Sequence, residues 1–103
     1  MDWNKIAEYL RESGFFPQKA KYIVCDSVLA EEDNNFWISI YSTPNNSVVI
    51  YMCQRYQGKK FSVCDYYDES QDTYNFIHYL REHLENMSIA LDRKIAKEFP
   101  NIF

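Results

Sequence analysis

Glycine is nearly missing from this chain, with only Gly14 and Gly58 among 103 residues. A phosphate cradle needs a glycine-rich turn at a helix N-terminus, so nucleotide binding through such a loop is excluded. There is also no glycine-bearing nucleophile elbow and no oxyanion-forming loop, so Cys64 or a serine has no catalytic setting and no enzyme activity is expected. Three prolines and two glycines leave little scope for long flexible connections. No apolar run approaches the roughly 20 residues that cross a bilayer. The opening residues Met1-Asp2-Trp3-Asn4-Lys5 lack the charged-then-apolar layout of a signal peptide, and the expectation is a cytoplasmic protein.

Metal-ligand spacing is missing as well. The three cysteines, Cys25, Cys53 and Cys64, contain no CxxC pair, and each lies in an apolar, strand-like run. They read as small buried hydrophobes kept reduced. His78 and His83 stand about 140° apart around a helix and cannot easily share an ion, while His78 and Glu82 are neighbours at i, i+4. No third ligand with zinc-like spacing accompanies them, so neither a metal nor a cofactor is expected.

Positive charge is scarce in one region. Residues 1–60 hold seven acids and seven bases, whereas 61–92 hold seven acids against Arg81 alone, and the chain's net charge of −4 arises entirely beyond residue 60. The bases elsewhere are dispersed, which disfavours nucleic-acid binding, since attraction to phosphate needs a basic stripe.

What is abundant is aromatic and apolar. Aromatic residues make up 17% of the chain, nine of them tyrosine, and apolar residues 47%, enough for one domain over 1–103 to bury a core without staples. Trp3, Ile6, Ala7 and Leu10 share a face of a helix over 3–13, with Asp2 as N-cap and Gly14 as stop. Phe15-Phe16-Pro17 turns the chain. Four strands follow: Tyr22 to Leu29, Phe36 to Ser42, Val48 to Tyr56 and Phe61 to Tyr67, joined by Ala30 to Asn35, Thr43-Pro44-Asn45-Asn46 and Gln57-Gly58-Lys59-Lys60.

The last element is a long helix over 73–99. Phe76, Ile77, Leu80, Leu84, Met87, Leu91, Ile95 and Phe99 form its apolar stripe, Asp72 its N-cap, and Asn86 and Ser88 a weak point where it can kink. The expected fold is α+β: a four-stranded antiparallel meander sheet with the N-terminal helix and the long C-terminal helix packed on one face. Trp37, Tyr41, Tyr51 and Tyr56 are expected on the other face. In such a meander Glu31-Glu32-Asp33 stand near Lys59-Lys60 and offset them.

The candidate site is the run Asp65-Tyr66-Tyr67-Asp68-Glu69-Ser70-Gln71-Asp72, which holds four carboxylates in eight residues. Its acids also suit a loop before a helix N-terminus, and the glycine and terminal glutamate of a calcium loop are missing. Fixed negative charge beside phenol rings fits a cationic protein surface, so Asp65, Tyr66, Tyr67, Asp68, Glu69, Asp72 and Tyr74 are the expected partner-binding residues. In general character (small, acidic, without catalytic motifs) the chain resembles immunity proteins of polymorphic toxin systems, although no motif ties it to one family. That likeness implies a stoichiometric inhibitor of a basic, nuclease-like toxin domain, itself a monomer or homodimer when free. A phage-encoded blocker of a host nuclease and a small-ligand sensor are the alternatives.

Overall fold

The computed structural model describes residues 1–14, 16–17, 23–27, 36–45, 47–68 and 72–100, with 16–17 and 23–27 described by backbone alone. The class is α+β, with helix α1 (Trp3–Glu12), an antiparallel sheet and helix α2 (Thr73–Glu98). The body of the sheet is three strands: β3 (Phe36–Ser42), β4 (Ser47–Tyr56) and β5 (Lys59–Asp68). Two short backbone pieces extend it beyond β3. β2 (Ile23–Ser27) pairs with β3, and β1 (Phe16–Pro17) pairs with β2, so the sheet runs β1-β2-β3-β4-β5 in sequence order. The expected count of four strands therefore does not hold. Phe16-Pro17, expected as a turn, is a short edge strand, and Tyr22, Val28 and Leu29 of the expected first strand lie outside the described residues.

The hairpin between β4 and β5 is tighter than expected. Gln57 and Gly58 have φ of +53° and +74°, the signature of a two-residue type I′ turn, whose twist matches that of the flanking strands. Lys59 and Lys60 are consequently strand residues facing Tyr56 and Arg55, not loop residues. Lys59 forms an ion pair with Glu98 at the end of α2, and Glu31, Glu32 and Asp33 lie outside the described residues.

Both helices cover one face of the sheet. Ile38 and Ile40 of β3, Val48, Ile50 and Met52 of β4 and Phe61 of β5 pack under Ile6 and Leu10 of α1 and Phe76, Leu80, Met87, Leu91 and Ile95 of α2. The side-chain period of two selects these residues, and burying them supplies the main stabilisation of the fold. The helix starts are capped as the sequence predicts: Asp2 accepts from the amides of Asn4 and Lys5 at 3.1 and 3.3 Å, and Asp72 from that of Asn75 at 2.8 Å. Thr73 Oγ1 also accepts from the Asp2 amide at 2.6 Å, which ties the two helix N-termini together. The weak point at Asn86 and Ser88 does not interrupt α2, which continues through both as one helix.

Trp37, Tyr41 and Tyr51 belong to the opposite sheet face, in phase with the reading of the sequence. Tyr56 does not. Its register opposite Lys59 places it on the helix side, where its ring meets Phe99 edge-on at 5.1 Å. Cys53 is buried as expected, but Cys64 is exposed, because β5 is the last strand of the sheet among the described residues.

Gln57 occupies a left-handed position that asparagine adopts far more readily. Gln57→Asn should raise stability by about 0.5 kcal/mol, and Gly58→Ala should lower it by about 1 kcal/mol. Urea unfolding of the two variants checks both signs.

Candidate functional site

The eight-residue acidic run is not one loop. Its first four residues complete β5, so their side chains alternate between the two faces of the sheet. Asp65 and Tyr67 turn toward the helices. The Tyr67 ring contacts those of Phe76 and Tyr79 at 4.9 and 4.8 Å, making it part of the packing beneath the N-terminal half of α2. One Asp65 carboxylate oxygen accepts from the Tyr79 hydroxyl and the other from the Tyr66 amide at 2.8 Å. Asp65 is thus a structural acceptor rather than a free charge.

Tyr66 and Asp68 point to the opposite face. Tyr66 is 64% exposed, and Asp68 is also exposed. Glu69 lies outside the described residues. Asp72 caps α2 and is exposed, and Tyr74, in the first turn of that helix, is 74% exposed with the Lys5 ammonium 5.1 Å from its ring centre. Tyr66, Asp68, Asp72 and Tyr74 are therefore solvent-facing groups where β5 ends and α2 begins, the first two on the open sheet face and Tyr74 on α2 beside Lys5 of α1. Asp65 and Tyr67 are not part of that exposed set.

Three further groups of residues lie along β5 and its neighbours, two on the open sheet face and one between β5 and α2. On the open sheet face Tyr41 and Tyr51 stack at 6.1 Å, beside Cys64 and Tyr66. The charge of a Cys64 thiolate, then of Tyr41, opposes ionisation of Tyr51 and pushes its phenol up to about 12. Hydrogen bonding to Cys64 raises Tyr66 as well. Further along the same face, Arg55 and Lys60 lie 5.7 and 5.6 Å from the Trp37 ring. The third group surrounds an open groove of about 370 Å³ between β5 and α2, lined by Val63, Asp65, His83, Asn86, Ala90 and Lys94, among others. There Lys94 Nζ donates to the Ser62 carbonyl at 2.7 Å, and the His83 ring stacks on Tyr79 at 4.1 Å. His83 is thus partly a packing residue, whereas His78 makes the expected i, i+4 contact with Glu82 at 3.1 Å. Among the described residues no cluster of His, Cys, Asp and Glu could hold a metal ion, and no helix is long and apolar enough to cross a membrane.

The Tyr79 phenol is raised well above its ordinary value of 10.0, first by burial and then by its bond to Asp65. A phenol whose folded-state value is raised contributes stability below its unfolded value, and that contribution is lost as pH rises through the folded value. Wild-type stability should therefore fall above about pH 10, and Tyr79→Phe should flatten that decline. In an ultraviolet titration of tyrosinate, Asp65→Asn should bring the last-titrating phenol to lower pH. An unchanged titration would show that the bond to Asp65 does not hold Tyr79.

Compared with known proteins, the chain matches no family model, no curated protein and no solved structure.

Proposed function

We propose that this protein is a stoichiometric inhibitor that docks a basic protein surface through Tyr66, Asp68, Asp72 and Tyr74, where β5 ends and α2 begins, with Glu69 in the connecting segment. The observation that carries this reading is the exposure of two rings. Among the described residues only three large apolar side chains are exposed, Tyr66, Tyr74 and Ile89, and two of them flank the acidic run. Tyrosine gives broad contact area with two side-chain torsions to fix, and carboxylates beside it steer a cationic partner and set its register. A nuclease domain is the partner chemistry that fits best, because its substrate is a polyanion and its cleft is basic. Immunity to such a toxin in a bacterial cytoplasm is the corresponding biology. A viral blocker of a host nuclease would use the same contacts, and the neighbouring gene separates the two.

A second reading, a small-ligand sensor, draws support from the groove between β5 and α2, whose volume of about 370 Å³ lies within the range of ligand pockets. Stabilisation by a metabolite alone in a thermal-shift screen would favour it.

The inhibitor reading is tested by capturing the partner from the native host, or with the adjacent gene product, and measuring association by stopped flow. Tyr66→Ala and Tyr74→Ala should each weaken the complex about tenfold. Asp68→Lys should slow association and flatten its salt dependence. None of the three should shift the melting temperature by more than a degree or two, since all lie on the surface. Association kinetics indifferent to Asp68→Lys would remove the electrostatic part of the proposal.

A further inference from the structure

The outer edge of β5 carries backbone groups that β4 cannot reach. Closure of the hairpin at Gln57-Gly58 makes Tyr56 and Lys59 a bonded pair, and antiparallel alternation then directs the backbone of Phe61, Val63, Asp65 and Tyr67 toward β4. Ser62, Cys64 and Tyr66 must present their N–H and C=O groups outward. Two observed contacts agree with that assignment. The Ser62 carbonyl accepts from Lys94 at 2.7 Å, and the Tyr66 amide donates to Asp65 Oδ1 at 2.8 Å. This edge, on which no strand pairs among the described residues, therefore has a cation on an acceptor and a carboxylate on a donor, disposed symmetrically about Cys64.

We propose that two copies of the chain pair antiparallel along β5 about a two-fold axis at Cys64, joining their sheets into one. In this register Ser62 stands opposite Tyr66 of the partner subunit, so the two capped groups are each other's natural partners. The Tyr66 amide donates to the carbonyl of the partner's Ser62, and the Ser62 carbonyl accepts from the amide of the partner's Tyr66. The displaced caps are also complementary. Asp65 of the partner subunit falls opposite Val63, beside the groove that Lys94 lines, so carboxylate and ammonium exchange a backbone group for one another. Asp65 keeps its bond to the Tyr79 hydroxyl throughout, because that bond uses its other oxygen.

On the open face the same register sets Lys60 against Asp68 of the partner subunit, and Asp68 against the partner's Lys60. Opposite charges directly across a strand pair are favourable, and like charges are not. The match depends on the axis lying at Cys64. Moving it by two residues loses both the pairing of Ser62 with Tyr66 and that of Lys60 with Asp68. Strand addition at an open edge is a general mode of association, and an isologous pair closes without leaving a second copy of the same edge. This inference is argued from the outward backbone of β5 and not from the exposed rings, but it shares Tyr66 and Asp68 with the proposed docking surface, so it is tested on the purified chain with no other protein present.

Sedimentation velocity across a concentration series tests it. The wild-type protein should form a dimer whose dissociation constant rises about tenfold in Lys60→Glu and in Asp68→Lys. An equimolar mixture of those two variants should recover wild-type association, because each supplies the charge that the other lacks. Tyr66→Pro removes an outward amide without touching the ladder to β4, so it should abolish the dimer while leaving the far-ultraviolet circular dichroism unchanged. If that variant fails to fold, the mixing experiment still decides. A wild-type protein that stays monomeric up to about 1 mM, a folded Tyr66→Pro variant that remains dimeric, or a mixture that fails to recover association would overturn the proposal.

Discussion

The turn at Gln57-Gly58 makes Tyr56 and Lys59 the last bonded pair of a hairpin, and each later residue of β5 inherits its face and its backbone direction from that pair. A slip of one residue would send Phe61 and Tyr67 into solvent and drive Lys60, Cys64 and Asp68 under the helices. Burial of Phe61, and the packing of Tyr67 on Phe76 and Tyr79, hold the register against that slip. The turn and the core specify one arrangement from opposite ends of the same strand.

That register explains how an acidic run can be both structural and exposed. Along β5 the carboxylates Asp65 and Asp68 differ in position by an odd number, so they cannot share a face. Asp65 goes inward, where the Tyr79 hydroxyl and the Tyr66 amide satisfy it, and Asp68 goes outward. Asp72 then closes the run as the cap of α2, a position where a carboxylate also meets the positive end of the helix dipole. One short stretch therefore ends a strand, starts a helix, and leaves two tyrosine rings in water. The negative charge available to a partner is smaller than the sequence count and sits closer to those rings.

Much of this was legible from residue patterns. The apolar stripe of α2, both N-caps, the phases of β3 and β4 and the final strand all follow from period and capping chemistry. Tyr56 escaped because its neighbours Arg55 and Gln57 give no apolar alternation to phase it. Lys59 and Lys60 looked like loop because lysine is uncommon inside strands, yet on an edge strand they reach Glu98 and the Trp37 ring. Exposed Cys64 follows from its edge position, which no local pattern encodes. The pull of Tyr79 on Asp65 spans 14 residues and joins a strand to a helix, so only the packed structure brings it into view.

The register of β5 is tested most directly by cross-strand proton contacts in nuclear magnetic resonance spectra. In an antiparallel sheet the alpha protons approach closely only in pairs that are not hydrogen bonded. Such contacts are expected for Tyr51 with Cys64, Cys53 with Ser62 and Val49 with Tyr66. Contacts shifted by one residue, such as Met52 with Cys64 or Gln54 with Ser62, would contradict that register. They would exchange the faces on which the exposed rings, the buried carboxylate and the open strand edge have been placed.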